Sequence, residues 1–313
     1  MMEAPNDILV LRGGALGDFV LTLPVFSALR KRCPGIRIGC MGYPRLTALA
    51  KAAGLIDEEF SLDASDAARL FAPDTVLSED RQRRLARYAA ALSFLHDPDL
   101  IVRQNLVRAG IDQVIVHSPL VETGHATDHF LSALAKMGIP AQENSAPCLK
   151  FPGRVNERGR QRLKSAADQA ILLHPGSGSA KKNWPLAKFV ALFEGLHHLN
   201  LPAAFVVGEA EQAVTSDLSQ AVPGAPIVSE PDIVSLAALL ASARAYVGND
   251  SGVTHLAAAV EVPVVALFGP TDAAVWGPRG SNVRIINATQ PTTESLAEVE
   301  VETVERAILA AVR

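Results

Sequence analysis

Cysteine is scarce in this chain. Its three cysteines, Cys33, Cys40 and Cys148, are odd in number and have no metal-ligand spacing. That argues against a disulfide framework or a zinc site, and for thiols in a reducing compartment such as the cytoplasm. Aromatics make up 5% of the residues, and there is no basic excess: 29 Lys and Arg stand against 33 Asp and Glu, a formal net charge of -4. A general nucleic-acid binder needs surplus cations to neutralise phosphates, so nucleic acid is not an expected partner. No run approaches the roughly 18 uninterrupted apolar residues that cross a bilayer. The opening MMEAPNDILVLRGG carries acid and proline where a secretory signal would carry basic residues and an apolar core. No period of about 20 to 50 residues suggests a solenoid.

What is present suits buried parallel strands under Ala-rich helices. The chain has 313 residues, 49% of them hydrophobic, which is too long for one ordinary core and comfortable for two. Ile8 to Leu11 is a short apolar run ending in Arg12-Gly13-Gly14. From Leu16 the apolar residues recur at helical spacing, and a second strand follows at Ile36 to Met41. Strand, glycine turn, helix, strand is the opening of a βαβ unit and predicts a doubly wound parallel sheet. Further on, a helix is expected over Glu79 to Leu95, a strand at Val114 to Val116 and a helix over His125 to Met137. The polar, Pro-bearing stretch from Gly138 to Pro152 reads as a linker. Beyond it, strands are expected at 170–173, 203–207, 245–247 and 262–268, separated by helices near 185–199, 232–243 and 251–260. The division is expected near residues 145 to 165, drawn between 155 and 156, and the last helix, near 296–312, is a candidate to return to the first domain.

Three turns at strand ends could carry chemistry. In Arg12-Gly13-Gly14-Ala15-Leu16-Gly17-Asp18, glycines such as Gly14 and Gly17 allow a substrate close to the backbone. Asp18 there is either a carboxylate stabilising a helix start or a general base accepting a proton from an attacking hydroxyl. The spacing is neither a dinucleotide fingerprint nor a phosphate loop ending in Lys-Ser/Thr. In His174-Pro175-Gly176-Ser177-Gly178-Ser179-Ala180-Lys181-Lys182-Asn183-Trp184-Pro185, Ser177 and the glycines admit a ligand, and two lysines stand with no acid near them in sequence, a setting for an anion. In Val247-Gly248-Asn249-Asp250-Ser251-Gly252-Val253-Thr254-His255, the amides from Ser251 to Thr254 open a helix, where a pyrophosphate can sit beside an ordinary N-cap. Ser251 lacks a nucleophile elbow, so a Ser-His triad is not expected. Phe268-Gly269-Pro270-Thr271 and Val207-Gly208-Glu209-Ala210-Glu211 close two more strands on the same edge, which is the expected donor edge.

Four stretches, ILVLRGGALGDFVLTLPVFSALRKRCPG, ILLHPGSGSAKKNWPLAKF, AYVGNDSGVTHLAAAVEVPVVALFGPT and, more weakly, GHATDHFLSALAKMGIP, occur in the order found in glycosyltransferase family 9, and the sequence resembles that family of ADP-heptose lipopolysaccharide heptosyltransferases. The resemblance implies a GT-B fold, two Rossmann-like domains facing across a cleft. It also implies inverting, metal-independent transfer of a sugar, a heptose by analogy, from an ADP-linked donor to a glycan or glycolipid acceptor. On this likeness Asp18 is the catalytic base, with Gly14 and Gly17 on the acceptor side. The donor would meet Ser177, Lys182, Asp250, Ser251, Gly252 and His255, with Glu211 near its ribose. No cofactor is implied, and no Asp-x-Asp pair at a strand end offers to hold Mg²⁺. Residues 57 to 120 are not covered by the likeness.

Two other classes compete with this one. A nucleotide-sugar-binding protein without catalysis would keep the fold but needs no base. A nicotinamide-dependent oxidoreductase would need the missing glycine fingerprint. The arginines Arg81, Arg83, Arg84 and Arg87 are read as a solvated helix face, with contact to an anionic lipid or the inner face of the membrane as the alternative.

Overall fold

Ile8, Leu9, Val10 and Leu11 are completely buried, which a strand achieves only with neighbours on both edges and layers on both faces. The computed structural model, which describes residues 7–140, 142–166, 169–208, 212–230, 232–288 and 295–312, supplies both. The chain divides into two units, Met1–Ser145 and Ala146–Arg313.

In the first unit the order is β1 (Asp7–Leu11), α1 (Leu16–Arg32), β2 (Arg37–Gly42), α2 (Pro44–Ala52), β3 (Glu58–Ser61), α3 (Glu79–Leu85), β4 (Ala90–Ser93), α4 (Ile101–Arg108), β5 (Gln113–Val116) and α5 (Ala126–Ser132). The five strands pair in parallel in the order β3-β2-β1-β4-β5. α1 is buried on nearly every side from Phe19 to Phe26. Pro24 removes one backbone donor from its interior, and the Thr22 hydroxyl donates to the Asp18 carbonyl at 2.8 Å.

The second unit runs α6 (Gly153–Ala166), β6 (Ile171–His174), α7 (Leu186–His198), β7 (Ala203–Val207), α8 (Gln212–Ala221), β8 (Ile227–Ser229), α9 (Ile233–Ser242), β9 (Ala245–Asn249), α10 (Gly252–Ala259), β10 (Val264–Phe268), α11 (Ala273–Trp276), β11 (Val283–Asn287) and α12 (Val301–Ala311). Its six strands also pair in parallel, in the order β11-β10-β9-β6-β7-β8. Trp184, Phe189, Leu192, Phe205 and Val265 form the core of one face, joined by Val304, Ala307 and Ile308 of α12. The final helix therefore packs within the second unit. α6 lies on α9 and belongs to the second unit.

One expectation fails outright. The helix over Glu79 to Leu95 ends at Leu85, and Ala90–Ser93 is strand β4, paired on one side with β1 and on the other with β5. Arg, Ala and Leu favour helix, but a small apolar tetrapeptide seated between two strands gains more from pairing and burial. The arginine reading changes with it. Arg81 is buried and pairs with Asp66 at 2.7 Å; Arg84 pairs with Glu58 at 2.9 Å and lies 4.4 Å over the Phe60 ring. Arg83 and Arg87 are exposed and Arg84 is partly so, so of the four only Arg81 lies inside the fold, while Arg84 is engaged by Glu58 and Phe60. Among the described residues no helix is long and apolar enough to cross a membrane.

α6 and α9 approach closely at Gly159, where an added Cβ would lie 2.1 Å from the Ala238 carbonyl oxygen. Glycine to alanine in a free helix gains about 1 kcal/mol, whereas overpacking against backbone costs about 1–3 kcal/mol. Gly159→Ala is therefore expected to lower stability by roughly 1 kcal/mol. Denaturant unfolding checks the sign, and a stabilised variant would refute the close approach.

Candidate functional site

Each sheet reverses its strand order once. In the first, β2 and β3 extend from one side of β1 while β4 and β5 lie on the other; in the second, β7 and β8 extend from β6 while β9, β10 and β11 lie opposite. Loops leaving the carboxyl ends of the two strands at such a reversal diverge, and the crevice between them is where open α/β sheets bind ligands. The glycine turn after β1 stands at the first reversal. The turns after β6 and β9 flank the second. All three motifs singled out in the sequence thus lie at a reversal point.

At the first turn, Gly14 has φ +90°, and a Cβ there would come 2.9 Å from the Asp18 carboxylate. Glycine is required both for the backbone conformation and for the room. Asp18 Oδ2 accepts from the Ala15 backbone N–H at 3.0 Å, so the helix-capping reading has its hydrogen bond. Asp18 is also about one-third exposed and sits 3.5 Å from Arg12 Nη2. Gly17 lies within the same first turn of α1 and is half-buried.

Sequence reasoning gave Arg12 no role. It is 3% exposed, donates to the Asp18 carbonyl at 3.3 Å, and lies 4.5 Å from the centre of the Phe130 ring. Burial pushes its pKa below the usual arginine range, opposed by the nearby Asp18 carboxylate. A guanidinium nonetheless stays charged, so a buried cation underlies the turn. The only sequence signal was an arginine directly after an apolar strand.

Phe130 continues into an aromatic stack. It meets Phe94 edge-on at 5.4 Å, and Phe94 meets His117 at 5.9 Å. The His117 and His129 rings are 4.4 Å apart. His117 Nε2 donates to the His129 carbonyl at 3.0 Å and His129 Nε2 to that of Ser118 at 2.8 Å. His125 caps α5 by accepting from the Thr127 N–H.

The second reversal is more tightly built. Lys182 Nζ lies 2.7 Å from Asp250 Oδ2, with the lysine one-third exposed and the aspartate nearly buried. The expectation of lysines without an acidic neighbour is thus corrected for Lys182: the acid comes from the far side of the reversal, 68 positions along the chain (250 − 182), where sequence spacing cannot reveal it. Lys181 is exposed. The Ser177 hydroxyl donates to the Ser179 carbonyl at 2.7 Å and accepts from the Ser179 N–H, shaping the loop. Ser251 caps α10, accepting from the Thr254 N–H at 3.3 Å. The Thr254 amide is therefore engaged, contrary to the reading that left it open, while those of Gly252 and Val253 have no intrahelical carbonyl to meet. These two amides, the positive end of the helix dipole and the adjacent ammonium group form a setting suited to a diphosphate.

His255 is buried one turn along the helix from the cap. Glu211 lies outside the described residues. Asn249, whose side chain joins the two turns, was not recognised as functional in the sequence. Among the described residues no group of three or more His, Cys, Asp or Glu side chains could hold a metal ion.

Comparison with known proteins follows the same outline. The family model described as glycosyltransferase family 9 (heptosyltransferase) matches residues 124–304. Lipopolysaccharide heptosyltransferase 3 of Escherichia coli is 25% identical over 299 residues, spanning 85% of this chain and 84% of that protein. Among solved structures, the glycosyl transferase family 9 protein of Veillonella parvula superposes with a TM-score of 0.81 at 20% identity, covering 98% of this chain and 97% of that one. The E. coli heptosyltransferase WaaC with ADP does so with a TM-score of 0.73 at 16% identity, covering 97% and 99%. The fold is the GT-B fold, two Rossmann-like α/β domains.

Burial first, then repulsion from His129 and Lys136, pushes the His117 pKa down from 6.5 to about 4. A histidine held neutral in the fold takes up a proton more readily when unfolded, so its stabilising share is present above 6.5 and is lost as the pH falls toward 4. Proton NMR of the ring is expected to show a midpoint near 4, and His117→Leu should flatten the loss of stability across that window. An ordinary histidine midpoint would contradict the packing described.

Proposed function

Since the chain belongs to glycosyltransferase family 9, and is therefore a sugar-transferring enzyme, we propose that it moves a heptose from an ADP-linked donor onto a glycan acceptor of the lipopolysaccharide-core type, inverting the anomeric centre without a metal. The observation that carries the donor half is the turn pair of the second unit, where Lys182, Asp250 and the first amides of α10 converge at a reversal point. The names of the relatives, heptosyltransferases and one with ADP, support ADP and heptose as the first substrates to try.

The chemistry assigned to these groups is a displacement. The acceptor hydroxyl oxygen bonds to the anomeric carbon from the face opposite the leaving group, and its proton passes to Asp18. The bond from that carbon to the diphosphate oxygen breaks with both electrons going to the oxygen. Charge then builds on the leaving ADP, where the Lys182 ammonium and the amides of Gly252 and Val253 oppose it. Ser177, Ser251 and His255 line or back the same turns, and Asp250 holds Lys182 in place until a phosphate competes for it. Glu211 is assigned to the donor ribose. The second unit is thus the donor domain, and Gly14, Gly17 and Asp18 belong to the acceptor side. A lipid-linked acceptor would bring the protein to the inner face of the membrane.

Asp18→Asn is expected to lower transfer from ADP-heptose by about 10²–10⁴-fold while ADP affinity, read by calorimetry, stays unchanged. Undiminished turnover would remove Asp18 as the base.

The Lys182–Asp250 pair gives a separate expectation of opposite signs. Lys182→Met loses a charge-assisted contact worth about 1.5–3 kcal/mol, weakening ADP roughly tenfold or more. Asp250→Asn removes a competing anion and frees the lysine, so ADP lacking its sugar should bind a few-fold more tightly, in keeping with the modest worth of a partly exposed pair of about 1 kcal/mol. Weaker ADP binding by the asparagine variant would show that Asp250 does not compete for Lys182.

A further inference from the structure

Asn249 is wholly buried at the carboxyl end of β9, and every polar atom of its side chain is used. Its Oδ1 accepts from the Trp184 backbone N–H at 2.9 Å. Its Nδ2 donates to the Pro175 carbonyl at 2.8 Å, with the Gly176 carbonyl and Asn183 Oδ1 each at 3.5 Å. The partners fix the orientation of the amide: an N–H must meet its oxygen and carbonyls must meet its nitrogen. Its own carbonyl accepts from the Thr254 hydroxyl, so the residue also braces the start of α10.

These bonds tie three separate stretches together: the turn after β6, the arm leading from Lys182 to Trp184, and the turn after β9. Trp184 is held at its far end as well, its indole N–H donating to the Val299 carbonyl at 2.9 Å. The arm is thus pinned at the residue two positions after Lys182, and the pin is the residue immediately before Asp250. The amide crosses between the two backbones whose side chains form the 2.7 Å ion pair. A lysine on a flexible arm would serve a phosphate as a mobile point charge, whereas an arm anchored in the core presents the ammonium at a set height above the amides of α10.

We infer that Asn249 is the positioning residue of the donor half-site, setting through Trp184 the place from which Lys182 meets the donor diphosphate. The inference rests on the donor reading above. It asks for no contact between Asn249 and substrate, because the side chain is consumed within the protein.

Asn249→Asp keeps the shape and the acceptor for Trp184 N–H but turns the donor to Pro175 and Gly176 into a second acceptor facing their carbonyls. Calorimetric ADP binding to the wild type, N249D, K182M and the double variant forms a cycle, run with thermal unfolding of each protein. The expected result is that N249D alone weakens ADP about tenfold and that Lys182→Met, costly in the wild type, adds less than about two-fold in the N249D background.

A folded N249D that binds ADP as the wild type does overturns the inference, as does a Lys182→Met loss that is undiminished in the N249D background; a merely structural role for Asn249 would give the latter. If ADP binds the wild type and K182M equally, the donor reading itself falls and takes the inference with it. Should N249D not fold, N249S, which retains one donor and one acceptor, goes through the same cycle, and the same two results overturn the inference.

Discussion

Parallel pairing of wholly buried strands is the constraint from which the remaining features follow. A buried strand leaves no backbone group to water along its length, so the unmet donors and acceptors collect where the strand ends. In a parallel sheet those ends lie along one edge, and the residues there are small or polar: Gly13 and Gly14 after β1, Pro175 to Ser177 after β6, and Asn249 at the end of β9 with Asp250 and Ser251 beyond it. The binding chemistry assigned to this chain draws on the same groups that the fold needs to finish its strands. At the two reversals, neighbouring turns diverge, and the edge becomes a place with room as well as polarity.

The two reversals handle charge differently. In the first unit a buried cation, Arg12, sits beneath a partly exposed carboxylate and is faced on one side by an aromatic ring. In the second a partly exposed cation, Lys182, is restrained by a nearly buried carboxylate. A guanidinium that is always charged and can bond in several directions suits a fixed support; an ammonium on a long stem suits a group that changes partners. This division matches the roles proposed above, a base that stays in one place and a phosphate contact that forms and releases.

The sequence was most legible where apolar strands ran into glycine or polar turns. Each of the three turns lies at the carboxyl end of a parallel strand, and the alternation of strand and helix in the second half carried through to the observed sheet. The reading failed at Ala90 to Ser93, where composition favours helix and only the flanking strands make the segment a strand. Edge elements such as β3 and β8 are short and half-buried, so they leave almost no pattern to detect. The pairing of Lys182 with Asp250 and the bonds of Asn249 to Pro175 and Trp184 were invisible for a different reason. They join stretches remote in the chain, and only the adjacency of β6 and β9 brings them together. Arg12 was hidden because burial of a charge cannot be read from its neighbours in sequence.

The buried guanidinium of Arg12 also bears on how this chain can change over generations. A charge removed from water is tolerated while a compensating group faces it, and stranding it carries a large desolvation penalty. Losing the carboxylate at Asp18 would leave Arg12 without that group, in a cell where a small drop in folding free energy already lowers protein abundance. Loss of the acid at the head of α1 would therefore cost some folding free energy beside its effect on the proposed chemistry, so two separate pressures at that position point the same way.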